Sequence, residues 1–370
     1  MFFIIIEQSD IVQNTPSGAR MLYYILKRIL LMIPTLFGVM VITFTITQFV
    51  PGGPVEKLIA DIEGYGGGGG EISSGKSSYR GSSGFDAERV EELKKLYGFD
   101  QPPVTRFFKM MKSYLVFDFG TSYYHHQSVF QLVVSRMPVS MSLGLWTFLI
   151  VYGVCIPLGI KKAVVEGSRF DIITSTIILV GYAIPGFVLG VVLVVLFGGG
   201  SFWSVFPLRG IVSDNWSELG LSMKILDYLW HMVLPIIASS VGSLAVMTML
   251  TKNSFLEEIR KQYVLTARAK GLSESQVLYK HVFKNAIIPI ITGFPGYFIA
   301  SFFTGSLLIE TIFSLNGMGL LAYESVLNRD YPVVLGTLYF FTIIGLVSRL
   351  LSDLSYVAVD PRISFGGFDG

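Results

Sequence analysis

Six stretches of this chain, 29–50, 138–160, 172–197, 231–251, 286–308 and 333–357, are almost continuously apolar. Each reaches the ~20 residues that a helix needs to cross a hydrocarbon core. None carries Asp, Glu, Lys, Arg or His near its middle. A backbone in lipid must satisfy its own N–H and C=O groups, so stretches of this kind have to be helices. Composition agrees: 15% of the residues are charged, against roughly a quarter in soluble domains. The predicted fold class is therefore an all-α polytopic membrane protein with six transmembrane helices.

Charge orients the spans. Lys27 and Arg28 precede the first, and Lys161, Lys162 and Arg169 face Glu166 and Asp171 after the second. On the opposite side, 198–230 has two basic and three acidic residues, and 309–332 has one basic and three acidic. By the positive-inside rule both termini are expected in the cytoplasm and the 51–137 loop outside. The predicted organisation is a cytoplasmic segment 1–28 (with 1–20 read as a start extension ahead of Met21), a first span 29–50, an outer loop 51–137, a five-span core 138–357 and a cytoplasmic tail 358–370.

Within that core, 252–285 is polar and basic. Seven basic groups (Lys252, Arg260, Lys261, Arg268, Lys270, Lys280, Lys284) stand against Glu257, Glu258 and Glu274. Phe255, Ile259, Tyr263 and Ala267 recur at helical spacing. Gly271 is placed as a helix-ending residue. Ser273 and Gln276 have the spacing of a capping box, ahead of a second apolar stripe, Val277, Leu278, Val282 and Phe283. The spacing predicts a helix, a glycine turn and a helix projecting into the cytoplasm.

In the outer loop, a Gly/Ser-rich run over 64–84 predicts a mobile insert. After it, Asp86 is placed to cap a helix bearing Val90, Leu93 and Tyr97 and ending at Gly98. Pro102 and Pro103 open another, with Val104, Phe107, Phe108, Met111 and Leu115 as its stripe. An amphipathic 129–138 then leads into the second span. Gly70–Ser77 fits the phosphate-loop spacing GxxxxGK[ST], and 64–69 fits a dinucleotide fingerprint. Such loops need a preceding apolar strand and a following helix; here glycines precede and Ser78-Tyr79-Arg80-Gly81-Ser82 follows, so no nucleotide site is assigned. His125 and His126 have no further ligands nearby in sequence, and the single cysteine, Cys155, permits no disulfide within the chain. The chain lacks GxSxG and HExxH. Arg349 and Asp353, four residues apart, are spaced to pair at the inner end of the last span. Absence of mid-span charge argues against an ion-coupled transporter working alone. Gln48, Tyr182 and Tyr297 are the polar or aromatic candidates for lining a substrate path.

The run Tyr263-Val264-Leu265-Thr266-Ala267-Arg268-Ala269-Lys270-Gly271-Leu272-Ser273 resembles the EAA loop of the membrane subunits of ABC importers, in its dipeptide/oligopeptide form. Leu265 and Thr266 stand where the general motif has Glu and Ala, and His281, Phe283 and Lys284 fall on its I-x-L-P positions, departures that the peptide subgroup shares. Phe117-Asp118-Phe119-Gly120, the stretch Gly305–Gly319, Arg329-Asp330-Tyr331-Pro332 and Asp360-Pro361-Arg362 resemble the same subgroup, so the likeness covers about Met21 to Ile363. What the resemblance implies is a type I importer permease of a bacterial inner membrane, taking up oligopeptides, with microcin C-like peptide conjugates among the cargo. A dipeptide or nickel permease of the same family is the alternative. It further implies a second homologous permease, ABC ATPase subunits that bind the ATP and magnesium, and a periplasmic peptide-binding protein. Tyr263, Thr266, Ala267, Arg268, Ala269, Lys270, Gly271, Leu272 and Ser273 would then form the surface that docks on the ATPase. This chain itself would hold no catalytic site, cofactor or metal, and no nucleic acid.

Overall fold

The computed structural model describes residues 17–49, 101–199, 202–303 and 305–359. The expectations for the Gly/Ser-rich insert, the helix proposed after Asp86, the phosphate-loop-like run and Asp360-Pro361-Arg362 lie outside these residues, as does most of the segment before Met21.

The described residues are overwhelmingly helical. In chain order we label α1 (Ser17–Phe49), α2 (Pro103–Tyr114), α3 (Val129–Val164), α4 (Arg169–Ala183), α5 (Gly186–Phe197), α6 (Leu221–Ile259), α7 (Gln262–Ala269), α8 (Glu274–Ala286), α9 (Ile288–Phe303), α10 (Leu307–Ile312), α11 (Met318–Leu327) and α12 (Tyr331–Val359). Among the described residues, α1, α3, α6 and α12 are each long and apolar enough to cross a membrane. The pairs α4–α5 and α8–α9 meet the same test together but are bent by 93° and 51°.

The predicted span 172–197 is thus not one straight helix. A proline disfavours helical backbone in the residue before it, and Ile184, ahead of Pro185, is extended at φ −91°, ψ 116°. Close packing accompanies the break: a Cβ on Gly186 would lie 2.6 Å from the Ala238 carbonyl oxygen of α6. Other prolines are carried inside helices, Pro34 in α1, Pro138 and Pro157 in α3 and Pro235 in α6. At Pro235 the residue's own carbonyl accepts a bond from Ser239 Oγ at 2.8 Å.

Helix lengths differ from the hydropathy spans in an informative way. α3 fuses the predicted amphipathic 129–138 with the second span, and α6 extends 231–251 at both ends to 39 residues. At 1.5 Å per residue α6 is about 58 Å long, near twice the ~30 Å hydrocarbon thickness. The charged residues of α6 lie toward its two ends, Lys224 and Asp227 near the start and Lys252, Glu257 and Glu258 near the finish. α1 likewise begins at Ser17 rather than near residue 29.

Three apolar cores hold the helices. One joins Met40 of α1, Phe107 and Tyr114 of α2, Leu132 of α3, Leu321 of α11 and Val333 of α12. A second joins Leu143 of α3 to Met232 and Ile236 of α6 and to Ile309 and Phe313. The third, under the hairpin, is described below. Within α2 the predicted stripe is only partly correct. Phe107 is buried, but Val104, Phe108 and Leu115 are 60–72% exposed, and Met110 and Tyr114 take the inward positions. The reason is register: residues 107, 110, 111 and 114 share one face, and the neighbouring helices meet that one.

The expected Arg349–Asp353 pair is replaced. Asp353 accepts from Arg28 Nη2 at 2.8 Å and from Tyr24 Oη at 3.0 Å, both on α1. α1 packs along α12 here, so an interhelical partner is closer than the one a turn away.

Candidate functional site

The polar stretch 252–285 folds as its sequence predicts at the turn and differs at its entry. Phe255 and Ile259 belong to the end of α6, and the chain breaks at Arg260 and Lys261 before α7 begins. The predicted four-residue repeat therefore runs across two helices. After α7, Gly271 adopts φ +77°. Its N–H donates to Arg268 O at 2.9 Å, and that of Leu272 to Ala267 O at 3.4 Å. These are the 5→2 and 6→1 bonds of a Schellman cap, which requires the left-handed residue that glycine supplies. Ser273 then caps α8: its Oγ accepts from Gln276 N, and Gln276 Oε1 accepts from Ser273 N. The first turn of α8 is followed by a π-helical stretch, Val277–Val282.

One face of the hairpin is core. Val264, Ala267, Val277, Val282 and Ala286 pack with Phe255 of α6 and Ala163 of α3. Outside the membrane each large apolar side chain so buried contributes roughly 1.5–3 kcal/mol. Tyr263 is half-buried beside this core; its hydroxyl donates to Glu258 Oε2 at 2.5 Å and accepts from Asn285 Nδ2 at 3.2 Å. Lys261 also pairs with Glu258. Burial, reinforced by the Glu258 carboxylate, pushes the Tyr263 hydroxyl above its ordinary value, and the same carboxylate raises Lys261.

The other face is open. Thr266, Arg268, Ala269, Lys270, Gly271 and Ser273 are exposed, with Leu265 and Tyr279 beside them at 50% and 61%. Arg268 bridges the turn, its Nε and Nη2 on the Glu274 carboxylate at 2.9 and 3.0 Å. Leu272 is half-buried and Ala267 sits in the core. Of the nine residues expected on a docking surface, Ala267 therefore supports that surface from beneath, and Tyr263 and Leu272 lie at its edge.

The three path candidates sit in three different surroundings. Gln48, near the C-terminal end of α1, accepts from the Arg106 guanidinium of α2. Both line a cavity of about 350 Å³ together with Tyr114, Tyr123 and Tyr331. Tyr182 is 54% exposed at the end of α4. Tyr297 on α9 belongs to an aromatic cluster with Phe148 and Tyr152 of α3, its ring centroid 6.1 and 5.8 Å from theirs.

Several buried charges escaped the sequence reading. Glu310 is fully buried; its carboxylate accepts from Ser140 Oγ, Ser306 N and Leu320 N at 3.0, 3.1 and 2.7 Å. Asp330 accepts from Ser122 Oγ at 2.5 Å and from Tyr123 N at 3.0 Å, tying the segment after α2 to the start of α12. Lys162 and Asp171, counted in sequence only for topology, are buried against each other and Lys252. Apart from Ser306, four residues before Glu310, each partner is distant in sequence or lies across a turn, so spacing carried no signal.

A bundle of long apolar helices with bent spans, carrying one compact basic hairpin on a packed core, defines a membrane-embedded transport subunit. Residues 155–365 match the family described as binding-protein-dependent transport system inner membrane component, and the chain belongs to that family. It is 55% identical to the peptidoglycan transport system permease protein YejB of Agrobacterium fabrum, over 92% of this chain and 98% of that protein. To the inner membrane ABC transporter permease protein YejB of Escherichia coli O157:H7 it is 53% identical, over 93% and 99%. The oligopeptide transport system permease protein AppB of Bacillus subtilis is 31% identical, over 92% and 99%. The chain is therefore a YejB-like ABC permease of the peptide-import family, and a multi-pass protein of the inner membrane.

Proposed function

We propose that this chain forms one half of the pathway of an ATP-driven importer that moves oligopeptides from periplasm to cytoplasm. The observation that carries the reading is the hairpin: its underside is locked to the ends of α3 and α6, and its tip exposes Thr266, Arg268, Ala269, Lys270, Gly271 and Ser273 and is basic. A second, homologous permease completes the pathway. ABC ATPase subunits bind ATP and magnesium and hydrolyse ATP, and a periplasmic binding protein delivers the peptide. The hairpin lies in the cytoplasm with both termini, and its exposed tip enters a groove on the ATPase. Closure of the ATPases on ATP moves the hairpin, and with it the lower ends of α3 and α6; a rigid-body relay of this kind is how small shifts at one site open another. Gln48, Tyr182 and Tyr297 stay proposed as path-lining residues.

Purification of the tagged chain in mild detergent, with mass spectrometry of what accompanies it, tests the assembly. A second permease and an ATPase are expected, with peptide-stimulated ATP turnover. The chain arriving alone and folded would turn the reading toward a self-sufficient transporter.

The name of the Agrobacterium relative, a peptidoglycan transport system permease, favours a second cargo, peptides derived from peptidoglycan. Microcin C-like conjugates belong to the proposed range as well. Competition by muropeptides and by microcin C against uptake of a labelled oligopeptide separates the three.

A further inference from the structure

The hairpin is not the whole of the polar machinery at this end of the molecule. Asp171, in the first turn of α4, is held from two sides. From its own side come Gly167 N to Oδ2 at 3.1 Å and Lys162 Nζ to Oδ1 at 3.0 Å. Lys162 is fully buried, and its ammonium also reaches Asp171 O, Thr174 Oγ1 and Ser175 Oγ at 2.9, 2.8 and 2.7 Å. Those acceptors satisfy its three N–H groups, so Lys162 belongs structurally to the turn. From the other side comes Lys252 of α6, its Nζ 2.8 and 2.7 Å from the two carboxylate oxygens. Eight residues further on, at the C-cap of α6, Arg260 Nη2 holds both oxygens of Glu166 at 2.9 and 2.8 Å, in the same turn.

Two ion pairs therefore fasten the turn before α4 to the stretch of α6 that leads into the hairpin. The remaining end of α4 is the 93° corner with α5, packed on Ala238 of the same helix. We infer that Lys252–Asp171, assisted by Arg260–Glu166, is the joint through which movement of the hairpin reaches the bent pair α4–α5, with Lys252 a positioning residue for transport. The inference rests on the coupling role proposed above.

Charge balance selects the test variant. Asp171 faces two ammonium groups, so Asp171→Asn would leave Lys162 buried and Lys252 half-buried without a counter-charge, and a buried charge so stranded destabilises strongly. Lys252→Met instead leaves Lys162 and Asp171 as a balanced pair, while cutting the link to α6.

The experiment uses the complete importer in lipid, with spin labels at Ser275→Cys on the hairpin, Thr176→Cys on α4 and Thr311→Cys as an outer reference; all three sites are exposed and the native thiol, Cys155, is buried. With ATP and vanadate, the Ser275–Thr311 and Thr176–Thr311 distances should both change in the parent. Lys252→Met should keep the first change and lose most of the second, and peptide delivered per ATP should fall about tenfold, within the range of measured coupling effects. Lys252→Arg should restore both. Unaltered α4 movement in Lys252→Met would overturn the joint. A parent whose hairpin does not respond to ATP would instead overturn the coupling reading beneath it. Should Lys252→Met not reach the membrane, the exposed pair decides: Arg260→Glu should lower the delivery ratio and Arg260→Glu with Glu166→Arg should recover it, and no recovery would sink the joint.

Discussion

Gly271 is the position at which the proposed docking surface is most exposed to a clean test. It lies at φ +77°, and a Cβ built there meets nothing within 4 Å. Inside the chain, then, a side chain at 271 has room, and its internal cost is backbone strain alone. For an L-residue in the left-handed region that is roughly 1–2 kcal/mol, well below the 5–15 kcal/mol that holds a typical fold. Gly271→Val should accordingly reach the membrane at normal levels. Uptake should nevertheless be abolished, because the valine projects from the tip proposed to enter the ATPase groove. Two companions separate strain from bulk. Gly271→Ala carries the strain with one added carbon and should retain partial uptake. Gly271→Asn, a residue tolerant of left-handed backbone, carries bulk with little strain and should fail nearly as completely as valine. The assay is uptake of a labelled oligopeptide by cells whose only copy is the variant, with membrane abundance from immunoblots and retention of the ATPase in detergent. Normal uptake by Gly271→Val would refute the docking surface. Full activity of Gly271→Asn alongside an inactive Gly271→Val would show that strain, not docking, was responsible.

Other expectations follow from the same geometry. Arg268→Ala removes an exposed bridge to Glu274 worth about 0–1 kcal/mol, so melting in detergent should barely move, whereas the ATPase should co-purify more weakly. Glu310→Ala strands the three donors on its carboxylate, at about 1–3 kcal/mol for each group left unpaired; a marked drop in detergent melting temperature is expected, and an unchanged melt would show that the 305–320 turn does not depend on it. At Gly159 a Cβ would stand 2.6 Å from Thr251 Cβ and 2.9 Å from Thr248 O. Gly159→Val should therefore separate α3 from α6 at about 1–3 kcal/mol or more, read as reduced membrane abundance.

The apolar stretches by themselves determined an all-α membrane protein, because ~20 continuous apolar residues in lipid satisfy their own backbone groups as a helix, whereas a barrel strand is about half that length and alternates. The hairpin turn was equally legible, since Gly271, Ser273 and Gln276 act through local backbone chemistry that needs no distant partner. Contacts between distant residues were not legible. The corner at Pro185 could not be told from the prolines that α1, α3 and α6 tolerate, because what differs is the packing of α5 against Ala238. The α2 stripe was misassigned because several registers of apolar residues were available, and only the neighbouring helices select one. Asp353 gave no sign that its partner is Arg28 rather than Arg349. Lys162, Asp171 and Lys252 read as loop charge that orients a membrane protein. Only the fold brings an ammonium from α3 and another from α6 onto one carboxylate, and a buried carboxylate takes the partner that the backbone delivers, whatever its distance along the chain.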